Sequence, residues 1–372
     1  MKIAIAHYYW DYPESEHGLP SALVRRGNQV ILTVWCGDGG AGRTYETNGF
    51  RVHLLPGFNV VSGLGILNLK NPYVSGIGRI YDAFSPDIID CQSHLFVTTL
   101  ESLREAKKRG LPSVITVRGV MAKRDLVVNS AQKLYLYTLA SRAFKEATLV
   151  RCLTRSDAAE VARYGCPQEK IRVIPNFVDT EAFRPSGEEG DHILWYGRFV
   201  EEKGVANLVE AGQSVIEKDP SASFILAGDG PLRDEVASMV AQRGLAKSFS
   251  MPGKVDRAGL LPLLREASIV VLPSLKEGMP FSLLEAMSSG KAVVASDIPG
   301  INDVVVDGET ALLVPPCDPR SLAGAMISLR RDPSLRERLG AAARRSVLER
   351  FSEGAVVGRV EALYKEARGL TK

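Results

Sequence analysis

Short apolar, β-branched runs alternate with longer amphipathic stretches along the whole 372-residue chain, and no other feature limits its fold so strongly. In the first half the strand-like runs are Ile3–Ala6, Val30–Trp35, Arg51–Leu55, Ile88–Cys91, Ser113–Val117, Leu149–Leu153 and Ile171–Ile174. Helical stretches at Tyr73–Phe84, Val97–Lys108, Asp125–Glu146 and Ser156–Tyr164 lie between several of them. In the second half, strands at Ile193–Tyr196, Phe224–Ala227, Ile269–Leu272 and Ala292–Ala295 alternate with helices at Val205–Lys218, Leu232–Arg243, Ala258–Glu266 and Phe281–Ser288. Strands joined through helices become parallel neighbours, with the crossover helices covering both sheet faces. The expected class is α/β.

A chain this long exceeds one comfortable core and suits two. The polar stretch Asn176–Asp191, with Pro185, Ser186, Gly187 and Gly190, has poor core-forming capacity and marks the break. Residues 1–175 would form an acceptor-side domain and 176–350 a donor domain, with helices Pro319–Arg330, Ser334–Glu349 and Ser352–Arg368 at the end. Ligands of doubly wound sheets bind outside the carboxyl ends of the strands, so the loops after strands are where chemistry is expected.

Composition excludes several classes. Lys and Arg number 46 against 43 Asp and Glu, a net +3 that is scattered rather than blocked, which argues against nucleic acid. The five cysteines (36, 91, 152, 166, 317) contain no Cys-x-x-Cys and read as buried reduced thiols. The histidines at 7, 17, 53, 94 and 192 are too dispersed for a metal motif. The apolar run Met1–Ala6 is too short for a secretory segment, and no window reaches about 18–20 apolar residues. A cytoplasmic protein is expected, with peripheral contact to an anionic inner membrane face left open.

The segment from Pro273 to Met287 follows a buried strand and carries the sharpest signal. Gly278 permits a tight turn, Pro280 suits a first helical position and Gly290 ends the helix. Open N–H groups around Gly278, Met279, Phe281 and Ser282 would form an anion site. Glu277 before it could hold a sugar or face a developing oxocarbenium charge, and Glu285 inside the helix could accept ribose hydroxyls. The alternative is a pair of ordinary surface glutamates. A second constellation, Tyr196-Gly197-Arg198 through Lys203-Gly204, offers a guanidinium fork and a mobile ammonium. Without a metal, such cations must neutralise a departing diphosphate. No Asp-x-Asp metal clamp occurs, and no Gly-x-Gly-x-x-Gly follows the first strand, which argues against a nicotinamide dehydrogenase.

At these residues the chain resembles glycosyltransferase family 4, retaining enzymes of the GT-B fold, in which two doubly wound Rossmann-like domains face a central cleft. Gly197-Arg198 with Lys203-Gly204, Gly228-Asp229-Gly230-Pro231, Leu272-Pro273-Ser274, Glu277 with Glu285, and Pro299-Gly300 stand in family order. The likeness is strong from Ile171 to Val314 and looser before; Phe177 replaces the usual glycine of the linking stretch. It implies that Arg198 and Lys203 hold the donor diphosphate, with the backbone at Gly278, Met279, Pro280 and Phe281 beside it. It implies Glu285 on the ribose, Glu277 at the donor sugar, and Lys254 and Val255 near the base. It also implies retention without a dedicated nucleophile and a final helix (351–372) returning to the first domain. Two departures bear on the acceptor. The usual glycine pair after the first strand is missing from Tyr12–Gly18, and a strand end that often reads His-Gly is Arg118-Gly119. Arg118, and His94 after another strand, are the candidate catalytic residues on that side, joining Glu277.

Met121–Lys145 interleaves Lys123, Arg124, Lys133, Arg142 and Lys145 with apolar residues, as a membrane-surface helix would. Packing of that helix on its own sheet is the alternative. Leu64–Ile77 would be an exposed acceptor loop. The reading is a metal-independent hexosyltransferase, without cofactor, using a UDP-sugar or next a GDP-mannose. The acceptor would be a saccharide, a glycolipid or another small molecule, in polysaccharide or glycoconjugate assembly. A sugar-nucleotide epimerase of the same architecture, and a non-catalytic sugar-nucleotide-binding protein, are the competing readings.

Overall fold

The computed structural model describes residues 1–7, 18–60, 71–94, 96–119, 134–187 and 190–371. They form two compact units, Met1–Pro175 with Val356 onward, and Asn176–Ala355.

In the first unit the strands are β1 (Lys2–His7), β2 (Gln29–Trp35), β3 (Arg43–Thr47), β4 (Phe50–Leu55), β5 (Gly57–Asn59), β6 (Pro72–Val74), β7 (Ile88–Gln92), β8 (Ser113–Val117), β9 (Leu149–Cys152) and β10 (Ile171–Val173). The helices are α1 (Leu19–Arg25), α2 (Ile77–Phe84), α3 (Val97–Lys108), α4 (Ser141–Glu146) and α5 (Arg155–Arg163). Eight strands make one sheet in the order β10-β9-β8-β7-β1-β2-β4-β3, parallel except where β3 returns against β4. The order reverses between β1 and β7, so β7 ends at that sheet's switch point. The central strands are buried on both faces, as their unbroken apolar runs require.

The second unit holds β11 (His192–Arg198), β12 (Ser223–Asp229), β13 (Phe249–Gly253), β14 (Ala267–Leu272), β15 (Ala292–Ser296) and β16 (Leu312–Val314). Its helices are α6 (Val205–Lys218), α7 (Arg233–Gln242), α8 (Arg257–Glu266), α9 (Phe281–Ser288), α10 (Pro319–Arg331) and α11 (Pro333–Arg350). All six strands are parallel, in the order β13-β12-β11-β14-β15-β16. The switch lies between β11 and β14. The last helix, α12 (Glu353–Leu370), belongs from Val356 on to the first unit. There Tyr364 Oη donates to Asp90 Oδ2 at 2.6 Å, and Glu361 accepts from Arg26 and Asn28.

Several sequence expectations need correction. The stretch after Asn176 is not uniformly polar linker: Phe177, Val178 and Phe183 are buried in the second unit, and exposure is continuous only from Arg184 to Gly187. Apolar side chains separated by polar ones hide from a composition argument when only packing gathers them. The single helix expected at Tyr73–Phe84 is instead β6 followed by α2, because Gly76 adopts a left-handed φ of +82° that no helix continues through. Pro280 caps α9 with extended ψ (130°) rather than occupying its first turn.

Within Met121–Lys145, residues 121–133 lie outside the described residues, as do 12–17 of the first loop and 64–70 of the apolar loop. Beyond them Leu136, Ala140, Ala143 and Phe144 are buried in the core, while Leu134, Tyr137 and Leu139 are exposed. Among the described residues, no helix is long and apolar enough to cross a membrane. All five cysteines are free thiols, and burial pushes those of Cys91, Cys152 and Cys166 well up from the usual range.

Candidate functional site

Two loops meet where the second sheet reverses its order. One leaves β11 through a single tight turn (Glu201–Lys203) into α6, and the other leaves β14 at Pro273 and enters α9. Gly204 joins them. Its φ is +59°, and a Cβ there would stand 2.0 Å from the Pro273 carbonyl oxygen, so only glycine allows the approach. The Leu275 amide then donates to the Glu202 carbonyl at 2.8 Å. This sewing brings Lys203 Nζ to 2.7 Å from Glu277 Oε1, where Ser274 Oγ also donates at 2.7 Å. The Glu277 side chain keeps 8% of its surface exposed and that of Lys203 26%. From the other side, the loop after β15 presses in at Gly300, where a Cβ would lie 2.2 Å from the Gly278 carbonyl oxygen.

Beyond the loop, Met279 and Pro280 are buried and Phe281 is exposed. The Met279 side chain faces inward. Its sulfur accepts from the Asn176 amide at 3.2 Å, and its carbonyl oxygen from Asn176 Nδ2 at 3.4 Å. Met279 and Pro280 therefore have only backbone to offer a ligand. The first-turn N–H groups of α9 have no partner within the helix, as at any helix start.

Glu285 stands one turn into α9. Tyr196, from β11, places its hydroxyl oxygen 3.1 Å from Glu285 Oε2 and 2.9 Å from the Ser282 carbonyl oxygen. Protein atoms crowd this carboxyl although part of the residue stays open to solvent. The crowding governs its ionisation, and the opening gives a ligand access. Burial pushes Glu285 up to about 7, against the opposing pulls of Tyr196 and the Arg257 charge. Arg257, opening α8, pairs with Asp179 at 2.7 Å and lies 4.8 Å from the Phe183 ring centre. Arg198 is exposed two residues beyond Tyr196, on the same face of β11. Lys254 and Val255 follow the edge strand β13.

In the first unit, Arg118 is exposed past the end of β8 and donates from Nε and Nη2 to Gln92 Oε1 at 3.0 and 2.7 Å. Gln92 Nε2 donates to Asp90 at 2.7 Å, and Asp90 also accepts from Thr116 and Tyr364. His94 is wholly buried, its ring 5.4 Å from that of Phe144, and its carbonyl accepts from the Tyr135 hydroxyl.

Sequence reasoning thus named Lys203, Glu277 and Glu285 but gave no role to Ser274, Tyr196 or Arg257. The signal for the first two was a hydroxyl at or just past the end of a buried strand. For Arg257 there was none. Among the described residues, no cluster of three or more His, Cys, Asp or Glu is placed to hold a metal ion.

Two family models match the chain in succession. The one described as Glycosyltransferase Family 4 takes in residues 18–182, and the one described as Glycosyl transferases group 1 takes in residues 179–346. The chain is a GT4-type glycosyltransferase. Alpha-D-kanosaminyltransferase of Streptomyces kanamyceticus is 31% identical to it over 174 residues, 47% of this chain and 45% of that protein. Glycogen synthase of Mycobacterium tuberculosis is 26% identical over 396 residues, 96% of this chain and 94% of that protein. Among solved structures, sucrose-phosphate synthase from Thermosynechococcus elongatus superposes with a TM-score of 0.80 at 20% identity, covering 98% of each chain. Anabaena HepE in complex with UDP-glucose gives 0.77 at 16% identity, over 98% of this chain and all of that one. The fold of this glycosyltransferase is accordingly GT-B, with each unit a Rossmann-like α/β domain.

Proposed function

We propose that this glycosyltransferase moves a hexose-type sugar from a nucleotide diphosphate donor to a saccharide, lipid-linked or other small acceptor, with retention at the anomeric carbon and no metal ion. The observation that carries the reading is the contact of Lys203 with Glu277 at the switch point of the donor-side sheet. In this reading Lys203 and Arg198 meet the negative charge growing on the departing diphosphate, a task for which fixed charges in a partly dry site are effective. Backbone N–H groups from Gly278 to Phe281 help to cradle it. Glu277, steadied by Lys203 and Ser274, faces the donor sugar, and Glu285 accepts the ribose hydroxyls. Arg118, held by Gln92, meets the acceptor. The departing phosphate takes the acceptor's proton, so no side chain need act as a nucleophile.

The relatives transfer different sugars, so donor and acceptor are questions for assay. A structural neighbour that holds UDP-glucose makes a UDP-sugar the first donor to try, with GDP-mannose next. The exposed Leu134, Tyr137 and Leu139 keep lipid-linked acceptors in the panel. The test is donor hydrolysis and transfer with and without chelator, on the native protein and on Glu277→Ala. Turnover is expected to persist in chelator and to be abolished by Glu277→Ala, with donor binding largely kept. Near-native transfer by that variant, or activity restored only by added Mg²⁺, contradicts the proposal. Conversion of the donor to an epimer without any acceptor would replace it with the epimerase reading.

A further inference from the structure

Tyr196 has one phenolic proton and two oxygen neighbours. Its hydroxyl oxygen lies 2.9 Å from the Ser282 carbonyl oxygen and 3.1 Å from Glu285 Oε2. A carbonyl can only accept, so the shorter contact takes the phenol's proton. One proton cannot serve both oxygens fully, and a neutral Glu285 carboxyl would supply the second proton for the longer contact. If Glu285 is ionised, the phenol must turn toward it and leave the carbonyl.

Burial favours the neutral form, and the cations around it are engaged elsewhere or open to solvent, as Arg198 is at the end of β11. Arg257 on α8 would favour the anion but is paired with Asp179. Arg344 on α11 is engaged by the Thr180, Phe183 and Ser288 oxygens. β15, Ala292–Ser296, carries no charged side chain. In the loop before α9, Lys203 and Glu277 are bonded to each other. Burial pushing Glu285 up to about 7 runs the same way.

We propose that Glu285 rests as a neutral carboxyl in the empty site and that Tyr196 is a positioning residue that turns its proton to the carboxylate on binding, so that a ligand presenting a vicinal diol, the ribose of a sugar nucleotide, binds with release of one proton. This rests on the donor-site reading of Glu285. On binding, the Glu285 O–H bond breaks and its proton goes to solvent. The two ribose hydroxyls donate to the carboxylate, and Tyr196 turns its own proton to Oε2. Charge-assisted bonds of that kind outweigh the neutral pair they replace.

The experiment is titration calorimetry of the full chain with UDP-glucose and with GDP-mannose at pH 6, 7 and 8, in buffers of differing ionisation enthalpy. Both probes carry diphosphates that do not titrate in this range. The native protein is expected to release close to one proton at pH 6, and the apparent Kd there to be about tenfold weaker than at pH 8. Glu285→Gln is expected to bind more weakly, with no proton release and no pH dependence. Tyr196→Phe removes the donor that favours the anion. Its affinity loss should be large at pH 7 and smaller at pH 8. Native binding without proton release overturns the proposal while leaving the donor site intact. A pH-independent loss in Tyr196→Phe overturns it too, since a structural defect would behave that way. Failure of the native protein to bind either probe at any pH overturns the donor-site reading itself, and this inference with it.

Discussion

At the scale of the residue, the second unit places two carboxyls near its switch point in unequal settings. Glu277 is bonded to an ammonium and a hydroxyl, whereas Glu285 is crowded and meets a phenol. Crowding penalises the ionised form of Glu285 in the folded protein only, so its contribution to stability is complete below the unfolded value of 4.5 and is lost as pH rises through about 7. Glu285→Gln should therefore leave Tm nearly unchanged at pH 4 and raise it at pH 8. The whole shift would be worth about 3 kcal/mol, which solvent at the open rim reduces to about 1–2 kcal/mol. Thermal melts at the two pH values check this, and a variant less stable than the native protein at pH 8 would contradict it. Lys203→Ala removes a cation and leaves Glu277 with the Ser274 hydroxyl. Turnover should fall by on the order of 10²–10³, as when a positioned charge-stabilising donor is lost. Transfer kinetics with saturating acceptor measure it.

Elements act here through the ends of strands. β11 and β14 are neighbours, so the loops that leave them can touch, and Gly204 sets how closely. Gly204→Ala adds both a left-handed strain of about 1–2 kcal/mol and a clash with the Pro273 carbonyl. The loops should part, Tm should drop, and turnover should fall more than stability explains. Native kinetics in that variant would show that the approach is not needed. In the first unit, β7 supplies both Asp90 and Gln92, which link the buried Tyr364 to the exposed Arg118. Crowding also pushes the Asp90 carboxyl up, against the bonds from Tyr364 and Thr116. Tyr364→Phe takes one donor from that buried acid and should cost about 1–3 kcal/mol, read by chemical denaturation.

The whole molecule is two compact units built from a chain that leaves the first and returns to it at Val356. On this returning segment Val356, Val357, Val360 and Leu363 are buried. At about 1.5–3 kcal/mol each, these side chains approach the ~5–15 kcal/mol margin of an ordinary domain. Truncation after Phe351 should therefore unfold the first unit and spare the second. Calorimetry or limited proteolysis would read this as one surviving transition or one protected fragment. A truncated chain with both units intact would show that the last helix is dispensable.

By itself the sequence determined the α/β class, most central strands and helices, and the residues at strand ends, because burial period and turn chemistry are local. Ser113–Val117, Val97–Lys108 and Phe281–Ser288 stand where periodicity placed them. β3 and β13 escaped it: Arg43–Thr47 is an exposed edge strand, and Phe249–Gly253 contains a proline and a glycine. That Lys203 and Glu277 lie in loops after strands, Arg198 at the end of β11 and Glu285 within a helix was legible from local pattern. The tertiary structure alone decided that Lys203 meets Glu277 across 74 positions of chain. It also decided that Tyr196 and Arg257 bear on Glu285, and that His94 lies inside the core. The physical reason is strand order: which strands lie side by side is settled by burying both faces of a whole sheet at once, and no local run of residues records that outcome.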